Sequence, residues 1–298
     1  MQTQSTFPGP DATLVDAWKT GRTLLGDARL PSPILEARLL LQEAAGCTRE
    51  DILTDPHRPL GEAASKRLSG FLERRLNREP ISLIRGRVGF WKYEFRVSPD
   101  VLAPRADTEA VVEGALKTLP EDFDGTILDL GVGSGAILIS LLKERPSASG
   151  VAVEASADAL AVAKSNAAAL GVADRITWVS GTFATADLTA SGSPFDLIVT
   201  NPPYIAAWEL PMLDPEVREH EPRIALDGGA DGLDAYRAIS ERLAEWLKPG
   251  AQIFAEIGWT QAEAVHAYFD KSGVVTVDRV LPDLSGRPRV VVATRRSA

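Results

Sequence analysis

The sequence predicts an α/β fold in which a mostly parallel, doubly wound sheet of seven strands follows a small helical domain and a β-hairpin. Three observations support this prediction. Residues 12–79 show helical periodicity, residues 90–97 alternate with period two and are rich in aromatic side chains, and from residue 126 short apolar strands alternate with helices. We therefore expect a helical domain over residues 1–80, a linker with the hairpin over 81–105, and the sheet domain over 106–298.

The first clear helix of the N-terminal part is "SPILEARLLLQEAAG". Ser32 is a candidate N-cap, Pro33 suits the first turn, and Gly46 marks the end. Four apolar positions are expected to form its buried face, namely Ile34, Leu35, Leu39 and Leu41.

The second clear helix is "GEAASKRLSGFLERRLNREP", which ends at Pro80. Its polar side is expected to show Lys66, Arg67, Arg74, Arg75 and Arg78. Two interpretations stay open for these cations: a solvated helix face, or a docking surface for an acidic partner. Residues 1–85 carry a net charge of +1 and the remainder −10, which favours two units and assigns partner contact to the first.

The remaining elements follow in order along the chain. "GFWKYEFRVSP" predicts a strand or hairpin, because period two with aromatic residues is typical of a pleated strand. Strands are predicted at "TILDL", "GVAVE", "RITWVS", "FDLIVT", "AQIFAEIG", "GVVTVDRVL" and "RVVVATR". Helices at "GAILISLLKER" and "SADALAVAKSNAAALG" separate the first three, as in a parallel sheet covered on both faces.

Composition limits the possible functions. The 298 residues carry a net charge of −9, which argues against broad binding to nucleic-acid phosphates. No apolar run reaches the roughly 18 residues of a membrane span, and "MQTQSTFPGP" lacks the basic start and apolar core of a secretory signal. The single cysteine, Cys47, suits a reducing cytoplasm. With three histidines and one cysteine, no metal site is expected.

The first candidate motif is "LDLGVGSGA", in which an acidic residue ends a strand, glycines turn the chain, and a helix follows. Glycines allow close approach of a ligand to the backbone, and the helix N-terminus offers free N–H groups. An acidic residue, Glu154, ends the next strand, where related folds bind ribose hydroxyls. The candidate cofactor-binding residues here are Asp129, Leu130, Gly131, Val132, Gly133 and Glu154.

The spacing of this motif distinguishes between two cofactors. The glycines read G-x-G-x-G rather than the dinucleotide pattern, and Asp129 lies two residues before the first. A carboxylate there would repel a pyrophosphate but would attract an ammonium group. S-adenosylmethionine has an ammonium, a sulfonium and a ribose but no phosphate, so the motif favours it.

The second motif is "NPPY", directly after the strand "FDLIVT". Ligands of open α/β sheets bind beyond the carboxyl ends of strands, where this motif would lie. A planar NH2 group needs two acceptors, which the Asn201 side-chain oxygen and the Pro202 carbonyl could supply, while Tyr204 could stack on the substrate. The candidate catalytic residues are Asn201, Pro202, Pro203 and Tyr204, and Asn201 is also expected to adjoin the cofactor.

Together these residues resemble a class I, Rossmann-like S-adenosylmethionine-dependent methyltransferase. More narrowly, the chain resembles the release-factor glutamine N5-methyltransferases, the PrmC/HemK family. The resemblance covers nearly the whole chain through "SPILEARLLL", "GFWKYEFRVSPDVLAPRADTE", "ILDLGVGSGAI", "NPPYI", "HEPRIALDGGADGLDAYR", "EIG" and "DLSGRPRVV". NPPY alone is shared with adenine-N6 methyltransferases.

The resemblance implies a cytoplasmic enzyme that methylates the glutamine of the Gly-Gly-Gln loop of peptide-chain release factors. It also implies that the helical domain binds the factor, and that the NPPY asparagine and first proline hold the glutamine amide. Two positions depart from the family pattern: Ala106, where a proline is common, and "SGTF", where an Asp and an aromatic residue are common. Phe183 or the backbone of Thr182 is therefore expected to contact the adenine instead.

Three other functions are compatible with parts of the sequence to different degrees. Glutamine methylation of a ribosomal protein is the nearest, because it would use the same NPPY motif. Adenine-N6 methylation of nucleic acid is disfavoured by the charge of −10 beyond residue 85. A non-catalytic binding module would be expected to lose Asn201 or the glycine turn, and the sequence keeps both.

Overall fold

The computed structural model describes residues 7–192 and 194–297, which form two compact units. The first unit runs from residue 7 to Gly86 and includes the later segment Pro215–His220. It is helical, as predicted. Its helices are α1 (Leu14–Asp27), α2 (Pro33–Ala45), α3 (Arg49–Thr54), α4 (Glu62–Leu76), α5 (Ile81–Arg85) and a short helix at Pro215–Arg218.

Helix α2 has the predicted ends but not the predicted buried face. Ser32 and Gly46 are its caps, yet Ile34 and Leu35 are 58% and 45% exposed, and of the four expected core positions Leu41 alone is fully buried. The buried face is instead made by Glu36, Ala37, Leu40, Leu41 and Ala44. The prediction was wrong because apolar residues occur around most of this helix, so their pattern does not select one face.

Arg75 was placed on the polar side of α4, and this was also wrong. Its side chain is only 2% exposed. Its Nε donates to Glu36 at 2.8 Å, and its guanidinium reaches Glu216 at 3.3 Å. Leu72 and Leu68, one and two turns before Arg75, are buried on the same face of the helix. Two carboxylates offset the cost of burying this cation, so Arg75 belongs to the interior of the helical unit.

The second unit covers the described residues from Arg87 to Asp214 and from Glu221 onward. A two-stranded hairpin of β1 (Arg87–Phe90) and β2 (Tyr93–Arg96) opens it, as predicted. The seven-stranded sheet then has β3 (Thr126–Leu130), β4 (Ser149–Glu154), β5 (Ile176–Ser180), β6 (Phe195–Thr200), β7 (Leu247–Glu256), β8 (Val275–Pro282) and β9 (Pro288–Arg295). The helices of this unit are α6 (Glu109–Leu116), α7 (Ala136–Glu144), α8 (Ala157–Ala169), Asp234–Trp246 and Ala262–Lys271.

The sheet order is β5-β4-β3-β6-β7-β9-β8, with β9 antiparallel to both of its neighbours and the other pairs parallel. The prediction of a mostly parallel, doubly wound sheet is therefore confirmed. Strand order reverses between β3 and β6, and the register pairs Leu130 with Thr200 at their carboxyl ends. On the other side of β6, Thr200 pairs with Ala255 of β7. The glycine turn, the NPPY motif and Glu256 thus emerge side by side at the switch point where open α/β sheets bind ligands.

A hydrophobic core covers each face of the sheet. On one face, α6, α7 and α8 pack with the hairpin, whose Phe90 and Phe95 rings meet edge to face at 6.0 Å. On the other face, the helices Asp234–Trp246 and Ala262–Lys271 contribute buried residues that include Tyr236 and Trp246. These two helical layers hold the strands of the sheet in place, and the strands in turn determine where the motifs at their carboxyl ends lie. None of the helices in the described part of the chain has the length and apolar character to cross a membrane.

Candidate active site

A cleft of about 350 Å³ opens at the carboxyl ends of the central strands. This volume lies in the range of small-molecule sites. The structure brings most of the predicted site residues together in its lining: Gly131, Val132, Gly133, Glu154, Thr182, Phe183, Asn201 and Pro203. Four further predicted residues, Asp129, Leu130, Pro202 and Tyr204, lie in the same strand ends and turns but not in the lining itself.

Asp129 is a buried carboxylate with unused bonding capacity. It is 1% exposed, and its Oδ2 accepts a hydrogen bond from the Leu138 N–H at 3.3 Å. Its Oδ1 is buried without a partner among the described residues. Burial raises its pKa to about 7, and the nearby negative charge of Glu154 adds to the rise. A bound cation would supply the missing partner and favour the ionised form.

Glu154 holds the glycine turn in place. One oxygen of its carboxylate accepts from the Gly133 N–H at 2.9 Å. The other accepts from the N–H groups of Ala155 at 2.9 Å and Ser156 at 3.0 Å, at the start of α8. Glu154 thus connects the glycine turn to the end of β4 and fixes the floor of the cleft. Its side chain also lines the cleft.

Phe183 and Gly131 form one wall of the cleft. A Cβ at Gly131 would lie 3.3 Å from the Phe183 ring, so the ring packs directly over the glycine turn. Thr182 has its own N–H bonded to Thr185 Oγ1 at 3.1 Å. At Gly181, a Cβ would meet the backbone of Ala186 at 2.8 Å. The turn at residues 182–186 therefore leaves no room for a side chain at Gly181.

Asn201 is held by a residue that sequence reasoning did not find. Its Nδ2 donates to the hydroxyl of Thr108 at 3.2 Å, across 93 positions of the chain. Its side-chain oxygen has no protein donor within the described residues, and Asn201 lines the cleft. The Pro202 carbonyl likewise accepts no hydrogen bond from the described part of the protein. Two acceptors are therefore available next to each other.

The backbone that follows is clamped by an adjacent loop. Gln261 Nε2 donates to the Tyr204 carbonyl at 2.9 Å, and Ile205 exchanges backbone hydrogen bonds with Leu226 and Gly228. A Cβ at Gly228 would lie 2.8 Å from the Pro203 carbonyl oxygen and 2.9 Å from the Tyr204 Cα. In the sequence, "EPRIALDGG" and "EIG" were part of the family resemblance, and this support of the NPPY backbone was not predicted.

Two further groups beside the NPPY motif have shifted pKa values. Burial and the nearby Glu256 raise the pKa of Tyr204 to about 12, so its phenol is neutral at physiological pH. Burial also raises the pKa of Glu256 to about 7, against the lowering effects of a Thr108 hydrogen bond and the Arg289 charge. Among residues 7–192 and 194–297, no group of three His, Cys, Asp or Glu side chains is arranged to hold a metal ion.

Two family models match this chain, one in the helical unit and one in the sheet unit. A family model described as "PrmC N-terminal domain" matches residues 16–86, and one described as "Methyltransferase small domain" matches residues 109–211. The release factor glutamine methyltransferase of Caulobacter vibrioides is 47% identical over 283 residues, which are 95% of this chain and 96% of that protein. The enzyme of the same name from Bradyrhizobium diazoefficiens is 41% identical and covers 97% of both chains.

Among solved structures, a methyltransferase from Pyrococcus furiosus matches 77% of this chain and 100% of its own, with a TM-score of 0.52. Its sequence identity is 15%, so this similarity concerns the fold alone.

Proposed function

This chain belongs to the release factor glutamine methyltransferase family, and we propose that it methylates the side-chain N5 of the glutamine in the Gly-Gly-Gln loop of release factors. It is an S-adenosylmethionine-dependent protein-glutamine methyltransferase. The observation that carries the proposal is the 47% identity over 95% of the chain, together with the unoccupied side-chain oxygen of Asn201 in the cleft and the unbonded carbonyl of the adjacent Pro202. The mechanism follows from what each group in the cleft can bind.

The residues of the glycine turn fit S-adenosylmethionine. The buried Asp129 oxygen without a partner suits the ammonium group, and Glu154 at the end of β4 suits the ribose. The open backbone of Gly131 and Gly133 leaves room for close approach. When bound, the cofactor supplies a methyl group on a positively charged sulfur, which departs as a neutral thioether.

For the adenine, the contacts support Phe183 over the backbone of Thr182. The Thr182 N–H is already bonded to Thr185, whereas the Phe183 ring lines the cleft beside Gly131. A flat aromatic ring can stack on a nucleobase whatever the base's hydrogen-bonding pattern. We therefore assign Phe183 to the adenine end of the cofactor and Thr182 to the structure of the turn.

For the substrate amide, Asn201 Oδ1 and the Pro202 carbonyl accept the two N–H groups. These acceptors orient the nitrogen lone pair toward the methyl group and stabilise the positive charge that develops on nitrogen as the new bond forms. The nitrogen then loses one proton to solvent water, which restores a neutral, methylated amide. Pro203 keeps the backbone rigid, and the neutral phenol ring of Tyr204 is assigned to packing against the glutamine side chain.

We assign recognition of the release factor to the helical unit, over the predicted boundary of residues 1–80. Four cations remain candidates on α4 and just beyond it: Lys66, Arg67, Arg74 and Arg78. Three of them are already engaged, since Arg67 donates to the Ala44 carbonyl, Arg74 pairs with Glu79 and Arg78 pairs with Glu216. Translation termination takes place in the cytoplasm, and we propose that the enzyme works there.

The test is transfer of a labelled methyl group to a purified release factor, with the label mapped by mass spectrometry. The proposal predicts label on the loop glutamine, and none on a factor in which that glutamine is replaced by alanine. Label on another residue, or none while the cofactor is shown to bind, would overturn the assigned substrate. A ribosomal protein and a nucleic acid, offered in parallel reactions, serve as alternative substrates.

A further inference from the structure

An asparagine side chain is useful as an acceptor only when its oxygen, and not its NH2, faces the substrate. The two ends of the amide have nearly the same shape, so shape alone does not select the orientation. In this structure Asn201 Nδ2 donates to the Thr108 hydroxyl at 3.2 Å. Thr108 is buried at the end of a single turn of 3-10 helix, Ala106–Thr108, directly before α6. What Thr108 bonds on its other side therefore decides which way Asn201 points.

On that other side lies Glu256, the last residue of β7. Its carboxyl group is 2% exposed, burial raises its pKa, and the nearby Thr108 side chain has the smaller, opposite effect of lowering it. Its Oε2 is buried without a partner among the described residues. No role in the reaction has been given to this group above.

The charged and titratable groups around Glu256 come from four elements. They are Asp107 before α6, Tyr204 after β6, Tyr236 on the helix Asp234–Trp246, and Arg289 on β9. The positive charge of Arg289 is shared between two other carboxylates, because its Nη2 lies 3.2 Å from both Asp107 and Asp283. Glu256 thus keeps the capacity to accept a strong hydrogen bond from Thr108.

A hydroxyl group has one proton to donate. If Thr108 donates that proton to the Glu256 carboxylate, only its lone pairs face Asn201. Asn201 must then offer its NH2 to Thr108, which leaves its oxygen free to accept from a group bound in the cleft that Asn201 lines. If Glu256 did not take the proton, Thr108 could donate to the Asn201 oxygen instead, and the NH2 of Asn201 would face the NH2 of the substrate.

We propose that Thr108 and Glu256 are positioning residues that fix the orientation of the Asn201 amide, so that its oxygen accepts from the substrate nitrogen. The proposal rests on the function assigned above to Asn201. It extends that function by two buried residues, of which Thr108 lines the cleft together with Asn201 and Glu256 does not. It also explains why the protein buries the Glu256 carboxyl group despite the free-energy cost of removing it from water.

A matched pair of substitutions at Thr108 tests the role of its hydroxyl group. Thr108→Val keeps the shape but removes the hydroxyl, and Thr108→Ser keeps the hydroxyl. We expect Thr108→Val to lower kcat by about 10- to 100-fold, since a misoriented acceptor loses its transition-state contact, and cofactor Kd to stay within about twofold. Thr108→Ser should recover most of the loss. Equal turnover of wild type and Thr108→Val, or equal loss in Thr108→Val and Thr108→Ser, would overturn the proposal.

A second readout does not depend on turnover. The chain has three asparagines, Asn77, Asn166 and Asn201, so labelling asparagine with nitrogen-15 gives three side-chain NH2 signals. Thr108→Val should shift the Asn201 pair and speed its hydrogen exchange. The Asn166 pair should not move, because Asn166 Nδ2 is bonded to the Arg96 and Ser134 carbonyls. An unchanged Asn201 pair would overturn the proposal even if no release factor were methylated, which separates its failure from failure of the proposed function.

The role of Glu256 has its own test. Burial raises its pKa to about 7, and the orienting form is the ionised one. The Asn201 signals should therefore shift as pH falls through about 7 in the wild type. In Glu256→Gln this dependence should disappear, while Asn166 reports no change in either protein. A pH response that persists unaltered in Glu256→Gln would show that another group orients Asn201.

Discussion

Replacement of Gly228 by alanine tests whether the NPPY backbone must be held in place by the loop beside it. The φ angle of Gly228 lies outside the left-handed region, so alanine is conformationally acceptable and only space opposes it. The new Cβ would lie 2.8 Å from the Pro203 carbonyl oxygen and 2.9 Å from the Cα atoms of Tyr204 and Gly232. All three neighbours are backbone atoms, which cannot rotate away.

The size of the effect follows from these distances. The 2.8 Å separation falls about 0.6 Å short of the 3.4 Å at which ordinary contact begins, so the NPPY backbone must shift by several tenths of an ångström. Crowding of this kind costs about 1–3 kcal/mol of folding stability. A misplacement near 1 Å costs about 100-fold in rate. We therefore expect kcat to fall by about 10- to 100-fold, because the two prolines transmit the shift to Asn201.

The assay is turnover on a release factor at saturating cofactor, with cofactor Kd measured by calorimetry and stability by urea unfolding. Gly89→Ala is the matched control: it lies in the hairpin of the same unit, its φ is also ordinary, and a Cβ there meets nothing within 4 Å. Turnover of Gly228→Ala within about twofold of the control would refute the reasoning. So would a loss of cofactor affinity as large as the loss of kcat.

Three further predictions concern the helical unit and the cofactor residues. Arg75→Met should destabilise the protein by about 3 kcal/mol, since it leaves Glu36 without its buried partner. Arg74→Met removes an arginine that is 43% exposed and should cost less, about 1 kcal/mol, in the same urea titration. Burial raises the pKa of Asp129 to about 7, and the cofactor's ammonium needs the ionised form. Calorimetry should therefore show weaker cofactor binding as pH falls through about 7, and Asp129→Asn should bind weakly at all pH values in that window. Phe183→Ala should weaken cofactor binding by about 5- to 100-fold, the range expected for a lost stacking partner.

The sheet could be predicted because its signals are local. Each strand is a short apolar run, each helix between them has clear ends, and Asp129 and Asn201 follow strand ends that any parallel sheet brings to one edge. The approximate location of the cofactor and substrate groups follows from that arrangement. No side-chain contact had to be known in advance.

The missed features depend on contacts between distant parts of the chain. Thr108 meets Asn201 across 93 positions, and the close approach of Gly228 to Pro203 exists only once two loops are packed together. Arg75 reads as a surface cation until Glu36 and Glu216 are placed beside it. A sequence pattern reports how often apolar residues recur, but it does not report which distant carboxylate balances a buried charge.

The most direct test of the proposed mechanism is Asn201→Ala. Because its oxygen is assigned to the substrate nitrogen in the transition state and not to the cofactor, kcat on a release factor should fall by about 100- to 1,000-fold. Cofactor Kd, measured by calorimetry on the same preparation, should stay within about twofold of wild type. Turnover close to wild type, or a parallel collapse of cofactor binding, would contradict the role given to Asn201.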